Sequence, residues 1–341
     1  MCIECRENRQ DSMRIALDAM GGDNAPAVVV QGGVEALQHL DGDFELLLVG
    51  DPAAIEEELK GQDVPGDRLS IVPASEVIGM GEAPVESVRR KPDSSIVRGV
   101  RLQETGEADA FVSAGSTGAI LAASILILGS MPGTDRPAIG ALLPTMAAHP
   151  TLMVDAGANV DCRPQQLEQF AHLGQIYMRE VEGRDSPRVG LLNIGTEVEK
   201  GNELTREVYR LLERSGLNFV GNIEGRNLVR GVCDVLVCDG FVGNVVLKSY
   251  ESVAEHVAHL VSRTAAGSGN YVDLLSVCRV LDYAEHGGAP LLGANGVTII
   301  CHGDSPVRAI RNAVRVAARS VESDVVAHLK RELSGLAGAR V

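Results

Sequence analysis

Apolar and polar positions follow a repeating order along this chain: a short β-branched run, a polar corner rich in glycine, then a longer stretch with apolar residues at helical spacing. Five corners stand out: Asp18-Ala19-Met20-Gly21-Gly22-Asp23, Ala114-Gly115-Ser116-Thr117-Gly118, Asn193-Ile194-Gly195-Thr196, Asp239-Gly240-Phe241-Val242-Gly243-Asn244 and His302-Gly303-Asp304-Ser305-Pro306. Runs at 14–17, 44–49, 69–73, 110–113, 152–154, 189–193 and 297–300 read as strands. The stretches 27–40, 53–60, 119–128, 164–183 and 202–216, with a long C-terminal segment from Pro306, read as helices. This alternation predicts a three-layer α/β/α fold with a wide, mostly parallel sheet. In open sheets of that kind the carboxyl ends of parallel strands converge on one crevice, where helix N-termini and free N–H groups suit an anion. The five corners are therefore expected to share a site, with phosphate as the leading ligand class.

Three stretches depart from the rhythm. Residues 77–95 hold Gly79, Gly81, Pro84, Pro92 and the cluster Arg89-Arg90-Lys91, which predicts an exposed excursion. The helix over 119–128 is apolar all round, which predicts burial in the core. After the Asp239 corner, Val246, Tyr250, Val253, Val257, Leu260 and Val261 form an apolar stripe, Gly267-Ser268-Gly269-Asn270 turns the chain, and Leu274, Leu275, Val277, Val280 and Leu281 continue it. That pattern predicts a projecting helical hairpin over 245–285. It either pairs with its copy in a dimer or folds back on its own domain.

With 341 residues the chain can bury a large core, and a single domain over 13–341 is expected after a disordered extension, 1–12. Hydrophobic residues make up 45% and aromatics 3%, with no Trp, so the core is aliphatic and offers no stacking surface for bases. A formal charge of −15 likewise excludes a general binder of nucleic acid or anionic membrane, and any acidic partner needs a local basic patch. No secretory signal is expected, and the longest apolar stretch, 119–129, is too short to span a bilayer. Seven cysteines, at 2, 5, 162, 233, 238, 278 and 301, fit reduced thiols in a cytoplasm better than a disulfide framework. Cys2 and Cys5 form a CxxC that lacks the other half of a zinc site.

Taken in order, seven segments resemble the PlsX family, the phosphate acyltransferases of bacterial fatty acid and phospholipid synthesis. They are Ala16-Leu17-Asp18-Ala19-Met20-Gly21-Gly22-Asp23, Ala108-Asp109-Ala110-Phe111-Val112-Ser113-Ala114-Gly115, Asp155-Ala156-Gly157-Ala158-Asn159, Asn193-Ile194-Gly195-Thr196-Glu197, Lys200-Gly201-Asn202-Glu203-Leu204, the Asp239–Asn244 corner, and residues 283–288. The resemblance implies a reaction in which acyl-(acyl carrier protein) and inorganic phosphate give acyl phosphate and free carrier protein. It also implies a fold akin to phosphotransacetylase and the isocitrate and isopropylmalate dehydrogenases, a homodimer, no cofactor or metal, and a downstream glycerol-phosphate acyltransferase. Ser116 stands where the family often has Asn. The tip at 265–273 is shorter and less basic than the membrane-touching tip of relatives, so a peripheral contact at the inner membrane face is expected to be weak.

For that reaction a thioester is already an activated donor, so the protein's work is to hold two anions together and aim donors at the nascent oxyanion. Gly115, Ser116, Thr117 and Gly118, with Gly21, Gly22 and Asp23, are the phosphate candidates, and Lys200 is the candidate point charge, or else a solvated first-turn lysine. Asn244 and the amides of 240–243 are candidate oxyanion donors, or else a helix cap. His302 either orients phosphate or accepts its proton, or else is hydrogen-bonded structure. Asp18 fixes the first corner or orients Lys200. Arg89, Arg90 and Lys91 are the candidate docking surface for the carrier protein, or else a solvated loop. Cys162, Cys238 and Cys301 read as inert thiols.

Three other readings remain open: a phosphotransacetylase-like enzyme using acyl-CoA, a nicotinamide-linked dehydrogenase, and a non-catalytic protein that binds acyl carrier protein. The dehydrogenase needs a metal held by Asp155, Asp161, Asp234 and Asp239, and no GxGxxG follows the first strand.

Overall fold

A computed structural model describes residues 12–147, 149–265, 285 and 287–338. One 11-stranded sheet organises them, in the order β3-β2-β1-β4-β11-β10-β5-β6-β9-β7-β8. The strands are β1 (Met13–Asp18), β2 (Phe44–Gly50), β3 (Leu69–Pro73), β4 (Ala110–Ser113), β5 (Ala138–Leu143), β6 (Thr151–Val154), β7 (Val189–Asn193), β8 (Phe219–Glu224), β9 (Val235–Val237), β10 (Ala289–Leu292) and β11 (Val297–Ile300). β3, β2, β1, β4 and β11 run parallel. β10 is antiparallel to β11 and to β5, and β5 is antiparallel to β6. From β6 onward β9, β7 and β8 are again parallel, but with three reversals behind them they point opposite to the first block.

Both faces of the sheet are covered, which is why its strands read as unbroken apolar runs. Ile15 and Leu17 face one way, onto α1 (Ala27–His39), α6 (Pro164–Glu180), α7 (Glu203–Arg214) and the C-terminal pair α9 (Val307–Glu322) and α10 (Val325–Gly338). Ala16 and Phe111 face the other way, onto α3 (Pro84–Arg90), α4 (Ser95–Thr105), α5 (Thr117–Ala123) and the first turns of α8 (Gly240–Ala265). The remaining helix, α2 (Pro52–Leu59), packs on the first core through buried Ile55 and partly buried Leu59.

Three expectations are revised. The apolar helix after the β4 corner is not wholly buried: α5 passes into a π-helical turn, Ser124–Leu128, that leaves Ile125 and Leu126 exposed. The excursion at 77–95 carries α3, whose Val88 is buried. The C-terminal segment is two helices, broken at Asp324, which adopts φ 48°. Of the hairpin, α8 is described; its expected second helix at 272–283 and tip, residues 1–11 of the extension with its CxxC, and residues 283, 284 and 286 of the 283–288 motif lie outside the described residues.

A buried carboxylate joins the first block. Asp18 ends β1 with no exposure; its Oδ2 accepts Ser113 Oγ–H at 2.6 Å and its Oδ1 accepts Met20 N–H at 3.2 Å. Ser113 Oγ in turn accepts Gly115 N–H at 3.0 Å, tying the first two corners together. Burial raises the Asp18 pKa, and the hydrogen bonds only partly offset this.

Two outcomes follow from this packing. In α4, a Cβ on Gly99 would sit 2.2 Å from Phe111 Cε2. Gly99→Ala, which in a free helix gains about 1 kcal/mol, should here lose about 1–3 kcal/mol by overpacking; urea unfolding showing a gain contradicts the contact. Because the folded-state pKa of Asp18 is raised, its contribution to stability is present below the unfolded carboxylate range and lost as pH rises through the folded value. Asp18→Asn removes that ionisation, so the decline of unfolding free energy above about pH 4 should become shallower than in the wild type. An unchanged slope argues against it.

Candidate functional site

The opposed directions of the two strand blocks separate the five corners. The carboxyl ends of β1, β4 and β11 lie on one edge of the sheet, and those of β6, β9 and β7 lie on the other. Among the described residues no hydrogen bond or ion pair links the two groups. Strand direction thus places the five corners on two edges rather than on the one edge expected.

On the first edge much of the polar chemistry is internal. Ser116 Oγ caps α5 by accepting Ala119 N–H at 3.4 Å, and Gly118 is packed so closely on Pro84 that a Cβ there would meet its Cγ at 2.6 Å. The first-turn N–H groups of Thr117 and Gly118 find no acceptor among the described residues. Gly21 lies over Asp18 Oδ2, where a Cβ would approach to 2.5 Å. Gly22 packs beside Gly303 O and Ala114. Asp23 N–H donates to Gly303 O at 2.8 Å, and Asn24 Nδ2 to Asp304 Oδ1 at 3.3 Å, which staples the β1 corner to the β11 corner. His302 is exposed; its Nδ1 accepts Asp304 N–H at 3.3 Å, which leaves Nε2–H directed to solvent.

The second edge is organised by another buried carboxylate. Asp155 Oδ1 accepts N–H groups of Ile139 (3.0 Å), Gly157 (3.1 Å) and Ala158 (3.0 Å), while Oδ2 accepts Asn159 N–H (2.7 Å) and Nδ2–H (2.9 Å). Burial raises its pKa in spite of these donors. The loop so gathered carries the N-terminus of α8. Gly240 N–H donates to Asn159 O at 2.7 Å, and a Cβ on Gly243 would fall 1.8 Å from Asp155 O, so only glycine fits there. Asp239 caps the helix by accepting Val242 N–H at 2.9 Å. Asn244 is therefore not the cap: its exposed side chain lies above Gly157, where a Cβ would stand 3.5 Å from Asn244 Oδ1.

The neighbouring β7 corner is pinned by Asn193, which accepts Ile194 N–H at 2.8 Å and donates to Lys200 O at 3.2 Å and Asn222 Oδ1 at 3.1 Å. Lys200 runs past Gly195 into solvent and has no carboxylate partner among the described residues. Arg136, which the sequence pattern did not single out, is also exposed on this edge, close enough to Cys162 to act on its thiol. Since β7 adjoins β9 and β9 adjoins β6, the three corners span two strand spacings, about 10 Å.

The basic cluster is largely committed. Lys91 Nζ donates to Glu82 Oε1 at 2.6 Å and Val77 O at 2.8 Å, Arg90 pairs with Glu86, and Arg98 lies 3.7 Å from Asp93. Arg89 is left exposed.

Three of the four acids of the metal alternative are committed to other partners. Asp155 is saturated by its five donors, Asp234 is held by Arg188 and Arg184 at the opposite end of β9, and Asp239 is a cap. Among the described residues one grouping has three metal-ligating side chains, Glu180, His328 and Glu332. There Arg179 bonds both glutamates and Arg331 donates to His328 Nδ1. A cavity of about 520 Å³, lined by His172, Arg179, Asp185, Asn218 and Glu332, lies at the amino ends of β7 and β8, away from the corners. Burial pushes the thiols up, to about 11 for Cys162 and about 12 for Cys301, and raises Cys238 well above the usual thiol range, so none is an activated nucleophile. No described helix is long and apolar enough to cross a membrane.

Comparison with known proteins gives this geometry a context. The family model described as "Fatty acid synthesis protein" matches residues 13–328. A phosphate acyltransferase from Desulforamulus reducens is 51% identical over 328 residues, covering 94% of this chain and 97% of that protein. One from Desulfitobacterium hafniense is 49% identical over 337 residues, covering 96% and 100%. Among solved structures, a phosphotransacetylase from Streptococcus pyogenes shares the fold with a TM-score of 0.63 at 17% identity, covering 94% of this chain and 99% of that one. A 4-hydroxythreonine-4-phosphate dehydrogenase from Klebsiella pneumoniae matches at 0.51 and 12%, covering 92% and 99%. The wide mixed sheet is thus a fold shared with these two structures. Half-identity sustained over nearly the full length of both proteins carries the further conclusion that the chain belongs to the PlsX family of phosphate acyltransferases.

Proposed function

We propose that the protein transfers the acyl group of an acyl-(acyl carrier protein) to inorganic phosphate. A phosphate oxygen attacks the thioester carbonyl, the C–S bond breaks, and the carrier leaves as a thiolate that takes a proton from solvent. The observation that carries this reading is the family match together with the Asp155-built edge, where Asn244 stands at the positive N-terminus of a 26-residue helix. Asn244 donates to the oxygen that becomes negative in the tetrahedral intermediate, and Lys200 balances the charge of the attacking phosphate. The phosphate itself is held by the unpaired N–H groups of Thr117 and Gly118 on the Gly115–Gly118 corner. Gly21, Gly22 and Asp23 seal the joint beneath it, and His302 Nε2–H orients a phosphate oxygen.

These groups lie on opposite edges of one sheet, so in this reading a second copy of the chain completes the site. Exposed Val253 and Leu260 on α8 support a homodimer contact through that helix. The carrier protein, which is acidic, docks on exposed Arg89, which has no carboxylate partner among the described residues. The protein works in the cytoplasm, with at most a peripheral contact with the membrane.

Purified protein given acyl-carrier thioester and phosphate should form an acyl phosphate that hydroxylamine traps, with no loss in chelator and no product without phosphate. Strict dependence on a nucleotide or divalent ion contradicts the proposal. Lys200→Met and Asn244→Asp should each lower kcat by about 10²-fold with unchanged circular dichroism, because both side chains are exposed. Wild-type kcat in either variant removes that residue from the site.

A further inference from the structure

Resting on the acyl-transfer reading above, we infer that the apolar rim formed by Val160, Ile194, Phe241 and Val245 is the seat of the donor's acyl chain. These side chains are 58%, 83%, 61% and 51% exposed. The chain has five Phe; Phe44, Phe111 and Phe170 are buried, and Phe219 packs edge-on against Tyr209, so Phe241 is the one turned to solvent. A contiguous group of large exposed apolar residues marks a binding surface.

Contiguity here follows from the backbone. Gly240 N–H bonds Asn159 O, and Phe241 and Val160 are the next residues on either side of that bond. The β7–β9 pairing ends with Leu191 opposite Val237, so the β7 corner that carries Ile194 and the β9 corner that carries Phe241 leave neighbouring strands on the same edge. Phe241, Asn244 and Val245 stand at i, i+3 and i+4 and share one face of α8. With the reacting carbonyl at Asn244, the first carbons of any acyl chain must therefore cross Phe241 or Val245, and the chain continues over Val160 or Ile194. Val253 lies twelve residues beyond Phe241, about 18 Å along the helix, and belongs to the contact between copies rather than to this rim. Each methylene shielded from water is worth roughly fourfold in affinity, so the rim favours long acyl chains over short ones.

The test compares palmitoyl and butyryl thioesters of the same carrier protein, using the double variant Phe241→Ser with Ile194→Ser, both at exposed positions. The expected result is a fall in kcat/KM of about 10- to 100-fold for the palmitoyl donor and less than about threefold for the butyryl donor, with Phe241→Leu keeping the wild-type preference. Equal losses on both donors, or none, overturn the assignment. An altered sedimentation coefficient with unchanged chain-length preference also overturns it, because the rim is then a contact between copies. Wild-type protein that turns over neither donor brings down the acyl-transfer reading and the rim with it, whereas turnover of both with an indifferent variant brings down the rim alone.

Discussion

The reversal of strand direction at the middle of the sheet is the constraint from which the rest follows. β11, β10, β5 and β6 are linked by three antiparallel pairings, and they turn two parallel blocks head to tail within one continuous ladder. Each block brings its own strand ends, helix N-termini and glycine corners to its own edge. One edge carries the backbone N–H groups of Thr117 and Gly118, which have no acceptor among the described residues, and the other carries Asn244, Lys200 and Arg136. A reaction that must gather a dianion and a polarised carbonyl has half of its requirements on each edge.

Both edges use the same device, a fully buried aspartate at the end of a strand. Asp18 and Asp155 each pay a desolvation penalty that raises their pKa, and each is held by donors that come from the adjoining corners rather than from a counter-ion. Removing such an acceptor leaves several buried N–H groups without a partner, which costs more than the bonds themselves contribute. The two carboxylates therefore set the corner geometry. At Asp155 that geometry extends to the helix that carries Asn244, since the α8 N-terminus rests on its backbone at Gly243.

Much of this was legible in the residues. β3, β4 and β7 fall where the β-branched runs place them, and the Asn202 cap on α7 is made by the predicted side chain, which accepts Thr205 N–H at 2.9 Å. The ordered motifs gave the family. β5 and β10 escaped notice because no helix follows either of them: Ala138–Leu143 sits between Pro137 and Pro144 and leads to β6, and Ala289–Leu292 turns through residues 293–296 into β11. Without them every corner reads as pointing the same way, so the split of the site was invisible. Arg136 was missed for a related reason, since it precedes β5 and reaches the β6 corner only through the antiparallel pairing. The density of Arg89-Arg90-Lys91 was plain, but the carboxylates that occupy Arg90 and Lys91 are set by the fold of the 77–95 excursion.

The central claim, that two copies share each site, is tested by subunit complementation. Lys200→Met disables one edge, and Thr117→Asp places a negative charge at the N-terminus of α5 and disables the other. Each variant alone should be nearly inactive. When the two are unfolded together and refolded, half the dimers are mixed and each mixed dimer has one intact composite site, so about a quarter of wild-type activity should return. Activity no higher than that of the separate variants, with mixed dimers shown to have formed, contradicts a site divided between copies.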